Sequence, residues 1–274
     1  RLVLRLHRGS PLVHYTLDLD NGGIDHRLRL RSETGLGARP VLTGTQFGVT
    51  LRAPVAIDAR AHPRETPAAT APAHRIVAVA AEGRGLAVFS PGFFEIEWSA
   101  RGELFVTVIR AVGQLSRSDL PNRPGHAGWP TATPLGQCLG SDRLELALAP
   151  VSELDLARAD RLQALWEDAF LPVRPVWLRD AAAPLGSEDG ITLEGKGLIV
   201  SAIKPPASGA GVVVRCYNGL NEPTSGRWRF GIPRSAAVRV RADEREPRPV
   251  PLIEGGRVLP FDAAPAEWVT HLVR

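Results

Sequence analysis

Residues 104–112 (LFVTVIRAV) form a nearly unbroken apolar run of strand length, the pattern of a strand at the centre of a sheet and buried on both faces. A moderately alternating segment, 93–99, precedes it across the turn Ala100-Arg101-Gly102, so the two predict adjacent strands. The next segment has no apolar period: residues 113–140 hold four prolines, five glycines, two arginines and one histidine. A long loop of this kind inside a compact domain is uncommon and is usually functional or disordered. Here it returns to a second apolar run, LELALAP at 144–150. With both ends pinned to core strands, the 116–137 segment is expected to be an ordered, functional loop on a β scaffold.

The rest of the chain repeats short strand patterns between Gly/Pro turns, which argues for an antiparallel sandwich. Residues 12–31 read as a hairpin turning at Asn21-Gly22. Its polar face carries Asp25, Arg27, Arg29 and Arg31, expected to pair across strands with Asp18 and its neighbours on a solvated face; the functional alternative is that Asp25 and Arg27 help position a loop or the missing domain. Residues 62–74 read as a surface loop. Over 153–170, Leu162, Leu165, Trp166, Ala169 and Phe170 recur with helical period and Pro172 ends the stripe, predicting one short helix. Beyond a linker expected at 180–190, six further strand patterns complete the chain. The expected fold class is therefore all-β: a large antiparallel β-sandwich over 1–182, a smaller one over 191–274, and one short helix between them.

A hydrophobic fraction of 44% with 23% charged residues indicates a globular chain. No apolar run is long enough for a membrane helix, and no signal peptide is visible. The net charge of +4 is carried almost wholly by arginine, with Lys196 and Lys204 the two lysines. These arginines are scattered among acids and make no phosphate-tracking stripe, so nucleic acid is not an expected partner. Cys138 and Cys216 lie far apart and read as two buried thiols in a reducing, cytoplasmic setting. The chain opens in mid-strand at RLVLRL and has no methionine, as expected of a fragment. Leu2, Leu4 and Leu6 would then border a surface covered by the missing part. Self-association (a homo-oligomer) is compatible with the sequence.

Motifs for chemistry are sparse. The seven histidines are isolated, with no pair spaced to ligate a metal from one helix. GxSxG, P-loop and Rossmann signatures are absent. Glu95 and Glu97 share a strand face and resemble a carboxylate pair, but alternation alone places them together and reads as a solvated face. No metal ligands and no catalytic residues are expected within the chain.

Four segments carry a family resemblance in consistent order: DNGGIDHRLRLRSETG, GLAVFSPGFFEIEW, LFVTVIRAVGQLSRSDLPNRPGHAGWPTATPLGQCLG and VVVRCYNGLNEPTSGRWRF. Together they resemble the C-terminal β-domains of glycoside hydrolase family 38, the α-mannosidases, and within it the bacterial branch that includes mannosylglycerate hydrolases. The resemblance implies a non-catalytic region that buttresses an N-terminal catalytic domain absent from this chain. That domain would hold zinc and an aspartate nucleophile and cleave an α-mannoside with retention. In the loop, the resemblance and the rigid Arg123-Pro124-Gly125-His126 turn make Arg123 and His126 candidates for bonding sugar oxygens. Arg117 and Asp119 would staple the loop, and Trp129 would plug it to the sandwich. The branch commonly has arginine where this chain has His126, so recognition of an acidic aglycone does not carry over. The competing reading is a free-standing carbohydrate-binding or structural β-sandwich, for which Trp228 is the best exposed-platform candidate.

Overall fold

The computed structural model describes all residues except 56, 59, 93, 126–127 and 174–189. In chain order its strands are β1 (Leu2–Leu6), β2 (Val13–Asn21), β3 (Arg27–Glu33), β4 (Val41–Thr45), β5 (Gly48–Arg52), β6 (Thr70–Pro72), β7 (Ile76–Ala81) and β8 (Arg84–Phe89). The middle of the chain supplies β9 (Glu95–Trp98), β10 (Glu103–Arg110), β11 (Gln114–Leu115), β12 (Asp119–Leu120), β13 (Arg123–Pro124), β14 (Thr131–Ala132) and β15 (Gly140–Pro150). Helices α1 (Glu153–Leu156) and α2 (Ala159–Phe170) come next. The last strands are β16 (Ile191–Glu194), β17 (Leu198–Lys204), β18 (Val212–Asn218), β19 (Thr224–Phe230), β20 (Ala237–Val240), β21 (Arg248–Val250), β22 (Val258–Ala263) and β23 (Trp268–Val273). The fold is all-β, as the strand patterns predict.

The chain divides into two compact units: Arg1–Thr45, Thr50–Leu156 and Leu165–Phe170 make the first, and Gln46–Val49, Ala157–Ala164 and Leu171–Arg274 the second. The boundary expected between 182 and 191 falls almost entirely outside the described residues.

In the first unit a seven-stranded sheet, ordered β1-β2-β15-β8-β7-β4-β5, faces a four-stranded sheet ordered β3-β10-β9-β6. Val77, Val79 and Val88 from one sheet and Ile96, Trp98, Leu104 and Val106 from the other share one buried core. Period-two alternation puts these side chains inward, and their removal from water drives the assembly. Trp98 satisfies its indole N–H on the Arg39 carbonyl at 2.5 Å.

The strand partners differ from those expected. Residues 12–31 are not a hairpin: β2 pairs with β1 and β15, whereas β3 pairs with β10 in the other sheet. The chain passes between the sheets after Asn21, and Asp25 rather than Gly22 takes a positive φ, 50°. Arg27, Arg29 and Arg31 accordingly pair with Glu95, Glu97 and Glu103, while Asp18 pairs with Arg143. β10 is interior to its sheet but buried by a second layer on one face only. On its other face Phe105 lies beneath the Arg29 guanidinium, 4.4 Å from the ring centroid. A bulge between Thr107 and Ile109 turns Ile109 to the same side as Val106, which explains the unbroken apolar run. The end of the 62–74 segment is not loop but β6, paired with β9.

The expected single helix is two. Asp155 closes the start of α1, its carboxylate accepting from Ser152 N and Oγ at 2.8 and 2.9 Å, and the chain breaks before α2. The α2 stripe is as read: Leu162 and Trp166 are buried, and the Trp166 indole donates to the Ser90 carbonyl at 2.9 Å.

In the second unit a three-stranded sheet, β16-β19-β22, and a five-stranded sheet, β17-β18-β23-β20-β21, enclose a core of Val214, Cys216, Trp228, Phe230, Leu259 and Val269. All six expected strands are present. β16 and β21, four and three residues long, are additional. Cys216 is buried and Cys138 exposed, correcting the expectation of two buried thiols. No helix among the described residues is long and apolar enough to cross a membrane.

Candidate functional site in the 113–140 loop

The long loop is built, not structureless. β11 pairs with β14, β12 pairs with β13, and a 3-10 turn, Pro134–Gln137, brings the chain into β15. Its base is stitched from both ends. Val112 N donates to the Gly136 carbonyl at 2.8 Å and Thr133 N to the Gly113 carbonyl at 2.9 Å; Thr133 Oγ1 donates to the Val112 carbonyl at 2.8 Å.

The segment between the two sheets closes this base. The Asp25 carboxylate accepts from Gly113 N at 2.8 Å and from Gln137 Nε2 at 3.0 Å, while Asp25 N donates to Gln137 Oε1 at 2.8 Å. Asn21 Nδ2 donates to the carbonyls of Gln137 and Cys138 at 3.0 and 2.8 Å. The amide of Gln137, followed by the N–H of Gly113, holds the Asp25 carboxyl below its ordinary range. Gly113 leaves room for this exchange: a Cβ would stand 2.4 Å from Gln137 Nε2 and 2.8 Å from Asp25 Oδ1 and would push those side-chain ends aside. Of the two residues expected to position a loop, Asp25 does so and Arg27 does not. Gln137 and Asn21 carry no sequence signal, because their partners lie more than a hundred positions away.

Farther out, Arg117 and Asp119 form a bidentate pair at 2.9 and 2.7 Å. Arg123 reaches Glu65 through Nε at 3.2 Å with its side chain 32% exposed, and Thr66 N donates to the Asn122 carbonyl at 2.7 Å. The 62–74 segment thus meets the loop tip. His126 lies outside the described residues. Trp129 does not plug the loop to the sandwich: it is 90% exposed. Leu115 and Leu135, at 62% and 95%, are also exposed in the same loop.

Elsewhere the tempting residues are accounted for. Glu95 accepts from Thr107 Oγ1 at 2.7 Å and pairs with Arg27, and Glu97 pairs with Arg29 at 2.5 Å. Both carboxylates serve a strand-face ion ladder. Trp228 is fully buried, so it offers no platform to a sugar. Among the described residues no three His, Cys, Asp or Glu side chains gather as metal ligands would. The resemblance assigns its zinc to a catalytic domain outside this chain, and the described residues offer no donor set for it.

No protein-family model matches the chain. It is 25% identical over 226 residues to an inferred mannosylglycerate hydrolase of Halalkalibacterium halodurans, the match covering 81% of this chain and 23% of that protein. In fold it matches an α-mannosidase from Enterococcus faecalis V583 with a TM-score of 0.72 and 21% identity, over 99% of this chain and 28% of the other. A glycosyl hydrolase family 38 protein from Enterococcus faecalis matches with a TM-score of 0.69 and 22% identity, over 99% and 29%. The chain spans about a quarter of the length of each of these proteins. In fold over nearly its whole length, and in sequence over most of it, this chain is similar to one portion of the family 38 mannosidases, as the four sequence segments indicate.

Proposed function

We propose that the chain is the non-catalytic C-terminal β-region of a longer, retaining α-mannosidase-like glycoside hydrolase. In this reading it buttresses the catalytic part and completes the rim of a mannoside pocket with the 116–137 loop. The observation that carries the reading is coverage: 99% of this chain follows the fold of only 28% of a mannosidase chain. Two features support it. Glu95 and Glu97 are consumed by arginines, leaving no carboxylate pair poised for glycoside cleavage at that position. The β1 edge strand exposes Leu2, Leu4 and Leu6 by 55%, 55% and 75%, an apolar border of the kind a further part of the protein would cover.

Arg123 is the loop residue assigned to substrate. Its Nε pairs with Glu65, and a guanidinium has further donors for a sugar hydroxyl. In the longer protein, Arg123→Ala is expected to lower kcat/KM for an aryl α-mannoside roughly ten- to a hundredfold with the melting temperature nearly unchanged. Arg123→Lys should recover little, because lysine lacks the planar fork. A fall in melting temperature without a separate kinetic loss would assign Arg123 to its Glu65 contact alone and remove the loop from the pocket.

A further inference from the structure

The two sheets of the first unit are unequal, seven strands facing four, and part of the surplus lies at β1. Across the wide sheet Leu4 stands beside Tyr15, and Tyr15 beside Leu146. Tyr15 and Leu146 pack in the shared core, so period-two alternation puts Leu2, Leu4 and Leu6 on the same inner face. All three are nevertheless exposed, because the narrow sheet stops short of them. Its edge strand on that side is β3, joined to β2 by residues 22–26, with Leu30 packed on the same core as Tyr15. Leu28, two residues earlier on the inner face of β3, is exposed as well. The narrow sheet's other end, β6, leads into β7, and there His74 N donates to the Gly44 carbonyl of β4 at 2.9 Å, remote from β1 in the strand order.

The outer edge of β3 is open. Thr34 N donates to the Gly102 carbonyl at 3.1 Å and Ala111 N to the His26 carbonyl at 2.8 Å. Antiparallel alternation then directs the backbone N–H and C=O groups of Leu30 and Ser32 to β10, and those of Arg29, Arg31 and Glu33 away from it. No strand among the described residues pairs with that outer edge. A strand laid along it would carry the narrow sheet over β1, its inward side chains meeting Leu2, Leu4, Leu6 and Leu28 across the ordinary spacing of packed sheets. β1 has an open edge of its own. Arg1 and Asp18 exchange backbone hydrogen bonds at 2.7 and 2.9 Å, which leaves the Leu2, Leu4 and Leu6 amides facing outward. A strand added there would lengthen the overhang instead of covering it.

We infer that the flank between β1 and β3 receives an extended segment of the longer protein, which adds a fifth strand to the four-stranded sheet along β3. The segment is about five residues long, apolar at the alternate positions that face the leucines and polar at those beside Arg29 and Arg31. This rests on the proposed function, since the segment comes from the three quarters of such a protein that this chain does not span. Buttressing thereby becomes a defined contact: main-chain hydrogen bonds attach the segment and the leucines fix its register. A second copy fits this edge poorly. Two β3 strands paired antiparallel about Arg29, Leu30 or Arg31 oppose at least one arginine to another.

The test is amide hydrogen exchange in the longer protein and in residues 1–274 alone. Arg29, Arg31 and Glu33 are expected to exchange at least about tenfold more slowly in the longer protein, with Leu30 and Ser32 protected in both and Leu2, Leu4 and Leu6 fast in both. Arg31→Pro removes an outward N–H and spares the β10 ladder. Compared with Arg31→Ala, which loses the same ion pairs to Glu33 and Glu103, it should lower the melting temperature of the longer protein but not of residues 1–274. Fast exchange at Arg29, Arg31 and Glu33 in the longer protein would overturn the inference. So would protection at Leu2, Leu4 and Leu6 in their place, which puts the strand on β1, or protection in residues 1–274 that grows with concentration, which makes the occupant a second copy. Any of these, beside an upstream part that needs residues 1–274 for turnover, leaves the proposed function standing. Protected β3 amides beside an upstream part fully active alone would uphold the added strand and remove the catalytic support.

Discussion

His271 lies at the centre of the second unit's core, fully buried, its two ring nitrogens without a hydrogen-bond partner among the described residues. Its ring is 5.4 Å from Phe261. Across the ladder it faces Arg239, which is paired with Glu267; Cys216 shares the core. Burial first, and then the Arg239 charge, push the imidazole down to about 4. Since that value lies below the ordinary 6.5, the unfolded chain binds the proton more readily. The contribution to stability is therefore full above pH 6.5 and is lost as pH falls towards 4, by about 3 kcal/mol in total. His271→Phe is expected to flatten the pH dependence of the unfolding free energy between pH 6.5 and 4, whatever it does to stability at neutral pH. An unchanged slope would mean that another group governs acid unfolding. Trp228 was misread as an exposed platform although the cue against it was local. Arg227 and Arg229 on either side reach out to Glu194, so period-two alternation points the ring between them to the core.

At the scale of elements, strand existence was legible and strand partnership was not. Alternation identified β15, β18 and β23, and the helical stripe identified the buried face of α2. Nothing local distinguishes a hairpin from two strands in opposite sheets, so β2 and β3 were read as partners. β2 in fact pairs Asn21 with Gly140, a contact set by the whole fold. The same distance hid the brace of the loop. The Asp25–Gln137 exchange spans 112 positions; Asp25 could be singled out as a loop-positioning residue, but Gln137, its partner, does not stand out from its neighbours. Gln137 is buried, so Gln137→Ala is expected to cost about 1–3 kcal/mol. It should also accelerate hydrogen exchange at the Gly113 amide and let the Asp25 carboxyl return towards its ordinary range. Exchange at Gly113 equal to that of the unsubstituted chain would show that the loop base is held without this brace. The loop's small ladders, two residues a side, were beyond sequence reading because strands that short carry no period.

The molecule as a whole consists of two units, each a sandwich with its own core. Its similarity extends to a quarter of the length of the hydrolases it matches. The central claim is that this region supports catalysis performed elsewhere in a longer chain. The most direct measurement is the rate of aryl α-mannoside hydrolysis by the upstream part of that protein, expressed with and without residues 1–274, beside residues 1–274 alone. The account predicts no turnover by this chain alone, little by the upstream part alone, and activity restored when the two are co-expressed and co-purify. Turnover by residues 1–274 alone, or an upstream part fully active without them, would contradict it.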